Sequence, residues 1–574
     1  MPSPDRGRRD ARCLDGRDDP ATPEGLDART RDALFPHWCA SSSLLSDEHL
    51  LAVDKPHGVP VHAADDVELC DLKTRILRGL GPFPAGRAPT IVHGLDREAS
   101  GVVVLALSRE AARSLARELE AGARTTHVVA VSELGPFSGK HGAGKRGVTR
   151  LGGELPFSAR LLAERNGRAL VAIESAARKL ELRKTLATLG APIAGDRDHG
   201  GAPAPRLLWH VHKLAVTHPG SGRPLALEAP MPRDFDAWLA GDDSLPAEPR
   251  ELDRRLRAAA LRRYALARRD DTDALRLVHG AGDALPGVAL DLYAAHAVLS
   301  LSSPDALALE ESLLDCVMAL GVRGVYLKRR PKQASRLVDT RRSEVAPPVP
   351  MRGEPAPEPL VVRELGVAYL ARLGDGLSTG IFLDQLRARA LVREKSRGLR
   401  VLNLFSYHAA FTVAALAGGA VRTVSVDASG AANARALENL SNAGASAEHA
   451  VVKADAAAWL ESTARAPRGE RFDLVVLDPP SFATTKSSTF RAERDMSRLA
   501  ELAFRCLAPG GALLASTNLR ALDPKAFART LRASAQAASV HIERVVELGV
   551  PLDFPPAPGE PPHLKSALCL TRGA

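Results

Sequence analysis

Apolar and polar positions divide the chain into two parts of different rhythm. From Leu44 to about Leu239, runs such as LLAVDK, VVVLAL, THVVAV and ALVAIE read as strands, and REAARSLARELEAG has the spacing of an amphipathic helix. That mixture predicts an α+β domain on an extended mixed sheet. Beyond Gly376 the pattern becomes a regular β/α alternation, with RVLNLFSY, TVSVDAS, HAVVKAD, FDLVVLDPP and GGALLASTN as strands. Strands apolar almost throughout imply a parallel, Rossmann-like sheet covered on both faces. A smaller α/β unit lies between, from about Leu275 to Tyr369, with the Pro-rich VAPPVPMRGEPAPEPL as an irregular loop.

A chain of 574 residues is too long for one ordinary core, so a multidomain α+β and α/β protein is expected. Residues 1–42, rich in Arg, Asp and Pro, read as a disordered tail of mixed charge. The mixed sheet takes 43–240, a linker with a basic helix 241–265, the small α/β domain 266–370, and the Rossmann-like domain 371–574.

Composition narrows the setting. No apolar run reaches the roughly 18 residues that span a bilayer, and MPSPDRGRRDARCLDGRDD lacks the apolar stretch of a secretory signal. A cytoplasmic protein without membrane contact is the expectation. The six cysteines (Cys13, Cys39, Cys70, Cys316, Cys506 and Cys569) form no C-x-x-C pair, which argues against structural zinc and against a disulfide framework; no metal is expected. A net charge of +9 fits a polyanionic partner such as nucleic acid. Heavy Arg and Ala usage fits a biased genome as well, and aromatics at 4% announce no stacking surface.

In a doubly wound sheet, ligands sit beyond the carboxyl ends of the strands. Three acids stand there in sequential register: Asp427 after TVSV, Asp455 after AVVKA and Asp478 after LVVL. An acid ending the second strand suits a ribose diol, and the next one an adenine amine. The loop after the first strand, NLFSYHAAF, passes closest to such a ligand and brings Asn403 and Ser406 with it. Each acid alone is as well explained as a helix N-cap. The dinucleotide alternative lacks its G-x-G-x-x-G after the first strand.

From about Arg268 onward the chain resembles the RlmI/RlmK group of class I S-adenosylmethionine-dependent ribosomal RNA methyltransferases. The resemblance rests on GDALPGVALDLY, VYLKRR, TGIFLDQ, VLNLFSY, VDAS, LDPPSF and APGG, in that order. It implies S-adenosyl-L-methionine as cofactor, held by Asn403, Ser406, Asp427, Asp455, Asp478 and Gln385, and RNA, specifically large-subunit ribosomal RNA, as partner. It also implies that 266–370 is of an RNA-binding type. One departure is NLFSYHA where the group reads NLFSYTG, so that Ala409 replaces a glycine; a narrower approach to the cofactor's methionine part is expected. Carbon-5 methylation of cytosine needs a cysteine thiolate after the fifth strand, but Ser516, Thr517 and Asn518 stand there. Nitrogen methylation instead needs acceptors such as the Asp478-Pro479-Pro480 turn and Phe482 to hold the base. The segment DPPSFATTKSSTFRAERD, with Lys486 and Arg494, resembles the guanine-N7 branch, which makes guanine the favoured base.

The N-terminal part, residues 44 to 239, resembles the RluA group of pseudouridine synthases through LLSDEHLLAVDKPHGVPVH, IVHGLDREASGVVVLAL, LRKTLATLGAPIAGD and LLWHVHKLAVTHPGSGRPL. By that resemblance Asp96 is the nucleophile that frees the uracil to reattach through carbon, Arg183 orients it, and His127 stands where the group has a tyrosine against the base. Asp96 alone also fits an ordinary turn aspartate. Gly94 replaces the arginine of H-R-L-D, and KLELRKT (Lys179 to Thr185) keeps little beyond Arg183. Three readings follow: a bifunctional RNA-modifying enzyme, a methyltransferase with a degenerate RNA-binding domain, or a methyltransferase for a protein or small molecule. Two RNA-modification folds in one chain count against the third.

Overall fold

In a computed structural model, described for residues 25–38, 42–63, 66, 68–80, 83, 88–133, 149–150, 157–175, 181–330, 342–444, 448–465, 470–484, 489–519 and 522–573, the chain builds the expected succession of sheets. The N-terminal sheet runs Ser43–Ser46, Leu50–Lys55, Ser100–Ala106, Trp209–Thr217, Thr125–Val131, Arg168–Ser175, Phe157–Arg165, Thr149–Arg150. Most neighbours are antiparallel, but Ser100–Ala106 and Trp209–Thr217 run parallel, so the sheet is mixed. Ser100–Ala106 is buried along its whole length, which explains why VVVLAL is a continuous apolar run rather than an alternating one.

The middle unit is a five-stranded sheet, Ala274–His279, Val288–Tyr293, His296–Leu301, Gly324–Arg329 and Arg352–Gly353. Two expectations change here. The expected basic helix forms as Pro249–Arg262, but it belongs to this unit rather than to a linker: Leu252, Leu256, Ala259 and Ala260 are buried in its core. Nor are residues 25–38 a disordered tail. Asp27 caps a helix, Ala28–Leu34, and Leu34 and Phe35 enter the same core while Arg268 holds the Phe35 carbonyl. Leu34 and Phe35, with Leu26 beside them, dock a segment otherwise poor in aliphatics, and His37 adds a hydrogen bond to the Tyr264 hydroxyl. Residues 1–24 lie outside the described ones.

The C-terminal sheet has the order Glu448–Lys453, Arg422–Asp427, Arg400–Leu404, Phe472–Leu477, Leu507–Thr517, Lys565–Thr571, Ile542–Leu548. The first five are parallel and Lys565–Thr571 is antiparallel to both its neighbours. Order reverses between Arg422–Asp427 and Phe472–Leu477, on either side of the first strand, and a ligand crevice belongs at that point. The hairpin Leu360–Glu364/Val367–Ala371 shares one core with Tyr293 and Tyr326 on one side and Val413 and Leu440 on the other, so the two C-terminal domains are packed together rather than strung on a linker. The N-terminal domain is tied on through Glu68, which is buried and accepts from Arg387 Nε and the Leu552 N–H.

Candidate active sites

In the N-terminal domain Asp96 closes the turn before Ser100–Ala106. Its Oδ1 accepts the Glu98 N–H at 2.9 Å, so the ordinary turn role is real. Its Oδ2 accepts from Arg183 Nη1 at 3.3 Å, which gives the same carboxylate the partner that the resemblance implies. Arg183, on the helix Leu182–Thr188, is held more tightly elsewhere: Asp196 takes Nε and Nη2 at 2.8 and 2.7 Å, and Asp198 takes Nη2 at 2.7 Å. Burial raises the Asp196 carboxyl, but Arg183 and His199 outweigh it and leave the pKa below the usual carboxylate value. Gly195 makes this geometry accessible, because at its φ of +83° a Cβ would run into the Arg206 carbonyl. Lys55 lies fully buried beside the turn, donating to the carbonyls of Pro56, Val59 and Arg97, and burial pushes its pKa down to about 7.

His127 is on Thr125–Val131, and its imidazole is engaged by Trp209, whose Nε1 donates to Nδ1 at 3.2 Å, rather than by the aspartate. Burial lowers its pKa to about 4, so it is a neutral ring. Gly94 is exposed, with room for a side chain: a Cβ there meets nothing nearer than His62 Nε2 at 3.8 Å. Of KLELRKT, Lys179 and Leu180 lie outside the described residues.

In the C-terminal domain a cleft of ≈ 1230 Å³ opens at the reversal point, lined among others by Ser406, Asp427, Asp455, Asp478, Pro479, Pro480 and Gln385. Asp427 accepts the Tyr407 N–H at 2.9 Å and the Ser429 N–H at 2.8 Å, and each oxygen keeps a lone pair for a ligand. Asp455 accepts from the N–H groups of Ala457 and Ala458, both at 3.1 Å, so it caps a helix while lining the cleft. Asp478 is pushed up to about 7, first by burial and then by the nearby Asp384, while Gln385 donates to it. Asn403 does not line the cleft. It is buried one layer below, donating to Thr412 Oγ1 at 2.9 Å, because a residue inside the strand Arg400–Leu404 cannot reach beyond its end.

The fit of an adenosylated methionine rests on this volume and on orphaned polar atoms: among the described residues, Ser406 Oγ and Gln385 Oε1 are buried without a protein partner. Gly380 forms part of the wall at φ +106°, where a Cβ would come within 2.7 Å of His408 Nδ1. Ala409 does not itself line the cleft. Ala409 adopts φ 59°, ψ 31° at a strain of about 1–2 kcal/mol, and it is fully buried away from the cleft. Pro480 and Ser481 line the cleft, and Ser481 donates to Asn518. Phe482 opens a short strand, Phe482–Thr484, but its side chain and the whole of Lys486 lie outside the described parts; Arg494 is on the cleft wall, beside Asp495 at 2.7 Å.

The residues missed in the sequence are Asp196, Asp198 and Lys55 at the first site and Asp384 with His563 at the second. The acids of GDRD were visible signals; the pairing of His563 with Asp384 at 2.9 Å, across most of the domain, was not.

Comparison with known proteins agrees with both halves. Residues 334–568 match the family described as S-adenosylmethionine-dependent methyltransferase, and residues 49–131 match RNA pseudouridylate synthase. A putative ribosomal RNA large subunit methyltransferase of Bacillus subtilis is 33% identical over 304 residues, covering 52% of this chain and 74% of that protein. A ribosomal RNA large subunit methyltransferase of Deinococcus radiodurans is 34% identical over 311 residues, covering 53% and 70%. In fold, the chain is similar to a putative methyltransferase solved in complex with SAH (TM-score 0.51, 24% identity, 63% of this chain and 89% of that one). It is also similar to a putative SAM-dependent methyltransferase from Streptococcus mutans (TM-score 0.50, 23% identity, 63% and 88%). Among the described residues no helix is long and apolar enough to cross a membrane. The chain therefore belongs to the family of S-adenosylmethionine-dependent ribosomal RNA large subunit methyltransferases, and it carries an RNA pseudouridylate synthase domain ahead of that machinery.

Proposed function

We propose that the protein modifies large-subunit ribosomal RNA twice, methylating a base nitrogen, with guanine favoured, in the C-terminal cleft and isomerising uridine at Asp96. The first activity is carried by the cleft, where strand-end acids and orphaned acceptors converge at one crevice. Asp427 would hold the ribose hydroxyls of S-adenosylmethionine and Asp455 its adenine amine, with Ser406 and Gln385 at the polar end. When bound, the cofactor supplies an electrophilic methyl group. The chain's own task is then to aim a nitrogen lone pair, with Asp478 and the Pro479-Pro480 turn as the acceptor surface and Phe482 as a base contact. A covalent route through cysteine is disfavoured, because Cys506 and Cys569 are fully buried and burial raises their thiols to about 11 and about 12. Ribosome-bound substrate would place the protein in the cytoplasm.

The second activity rests on the Asp96–Arg183 contact, which sets a guanidinium against the carboxylate where a nucleophile is needed. A different reading, an RNA-binding module without isomerase chemistry, is favoured by His127, whose ring is taken by Trp209. Nucleoside mass spectrometry of ribosomal RNA from cells with and without the gene tests methylation. Carbodiimide mapping of the same RNA tests isomerisation, since pseudouridine has the mass of uridine. Loss of a methylated guanosine without the gene supports the main reading, and identical RNA from both strains refutes it.

A further inference from the structure

Phe382 is half-exposed (50%) in a chain poor in aromatics, and it stands on the wall of the methyl-transfer cleft. Its ring lies 5.5 Å from Tyr407, tilted by 44°, and Tyr407 stacks on His408 at 3.8 Å. A single exposed apolar side chain ordinarily calls for no explanation. The backbone beneath this one does. The Phe382 carbonyl accepts from Arg389 Nη1 at 2.8 Å, and Arg389 is buried in an ion pair with Glu364 from the neighbouring hairpin. Thr379, three residues earlier, is held by the Tyr293 hydroxyl at 2.8 Å. Two residues later, Asp384 lines the same cleft and is fixed by His563. An apolar ring left to solvent on so firmly anchored a turn is preorganised for a flat partner.

We propose that the turn Phe382–Asp384 is the receptor for the flipped-out target base, with the Phe382 ring as stacking platform and the Asp384 carboxylate accepting from the base's N–H edge. The inference rests on the reading of this cleft as an RNA-base methyltransferase. Enzymes that act on a base take it out of the stack and recognise it by stacking and by its Watson–Crick edge. A carboxylate selects donors, and guanine presents two adjacent ones, N1–H and the N2 amino group. Burial would raise the Asp384 carboxyl, but the His563 hydrogen bond and the nearby Arg276 and Arg389 hold its pKa below the ordinary value, so it accepts rather than donates. The cofactor candidates Ser406, Asp427 and Asp455 come from loops at the ends of the first three strands, whereas this turn precedes the sheet and gives the cofactor only Gln385, at its far end. A base arriving from solvent needs the exposed ring; an enclosed cofactor does not.

The test uses the full-length protein, tritiated S-adenosylmethionine and large-subunit ribosomal RNA from a strain lacking the gene, with thermal unfolding as a check on folding. Phe382→Ala and Phe382→Leu should lower kcat/KM for RNA by about tenfold or more, the scale of one lost base–aromatic stack. Phe382→Tyr, which keeps the ring, should recover most of that loss. Asp384→Asn should give a drop of about tenfold or more, the scale of one bidentate base contact. Calorimetric affinity for S-adenosylmethionine should stay within about twofold in the Phe382 variants. A cofactor affinity that falls in step with methylation would overturn the assignment, as would Phe382→Leu at the wild-type rate. Wild-type protein that transfers no methyl group to RNA would remove the underlying reading, and the platform with it; a working wild type matched by Phe382→Leu removes the platform alone.

Discussion

The two sites solve opposite electrostatic problems. Around Asp96 the charges close on one another: one guanidinium serves Asp96, Asp196 and Asp198, and a fully buried lysine lies beside the turn. In the C-terminal cleft the polar groups are arranged without complete partners, with Ser406 Oγ and Gln385 Oε1 left over and Asp478 raised to about 7 by burial. The nucleophile proposed at Asp96 must be aimed before substrate arrives, so its neighbours are supplied by the fold. A cofactor site must keep its hydrogen bonds for the ligand, so the fold carries buried polar groups that are costly when unpaired. The first site is therefore sensitive to loss of a charge, and the second to loss of a ligand contact.

That contrast is broken most sharply at Asp96. Asp96→Asn removes the nucleophilic charge at nearly constant shape, and pseudouridine formation should vanish while RNA affinity and methylation persist. Carbodiimide mapping of RNA treated with wild type and variant decides between an enzyme and a docking module. Signal in wild type alone establishes the isomerase; no signal in either, on unmodified RNA, leaves the module.

Next in size is the cofactor contact. Asp427→Ala should weaken S-adenosylmethionine binding by about tenfold to a hundredfold, the scale of one hydrogen bond to a charged group, as read by calorimetry on folded protein. Unchanged affinity would remove Asp427 from the ribose site. The Asp427 carboxylate also holds the Tyr407 and Ser429 N–H groups, so Asp427→Asn, which keeps an acceptor, should lose less.

Most of the architecture was legible in the sequence, and the exceptions share a cause. The five apolar strands of the C-terminal half, the acids at their ends and the mixed sheet before them all follow from local pattern. The helix Ala28–Leu34 was not foreseen, because the few apolar residues that dock it, Leu26, Leu34 and Phe35, show no periodicity in a tail of Arg and Asp. Pro249–Arg262 reads as a basic helix in a linker because five arginines interleave its leucines and alanines. Those arginines are largely spent on Glu251, Asp253 and Asp283, while the apolar stripe beneath them is core. Asn403 was misplaced by treating a strand residue as part of the loop after it. His563 and Asp384 meet only through tertiary structure, 179 positions apart.

The closed character of the first site makes a stability prediction. Arg183→Gln leaves Asp196, whose side chain is fully buried, without its bidentate partner and should cost about 3 kcal/mol in urea unfolding. The pH sign follows from the lowered Asp196 pKa. The stabilisation is fully present above the unfolded carboxylate value of about 3.9 and is lost as pH falls through the lower folded value. Wild type and variant should therefore converge in stability at strongly acidic pH. At the second site the sign is reversed: Asp478 is largely protonated below about pH 7 and a better acceptor above it. Methylation kcat/KM should rise through pH 7 in wild type and flatten in Asp478→Asn.

The smallest effect belongs to the cysteines, and it guards the nitrogen assignment. A carbon-methylating enzyme needs a thiolate that adds to the base, and that thiolate must be exposed and easily ionised. Cys506 lies at the end of the helix Ala492–Arg505 and Cys569 within Lys565–Thr571; both are fully buried, with thiols raised to about 11 and about 12. Neither lines the cleft. Replacing each by alanine should cost on the order of 1 kcal/mol of stability through lost packing and leave the methylation rate of the folded protein unchanged. RNA containing 5-fluorocytosine should likewise form no denaturant-resistant complex. A trapped adduct that disappears in Cys506→Ala or Cys569→Ala would move the proposed chemistry from nitrogen to carbon and make the cleft, like the site proposed at Asp96, a place where the fold stores a nucleophile.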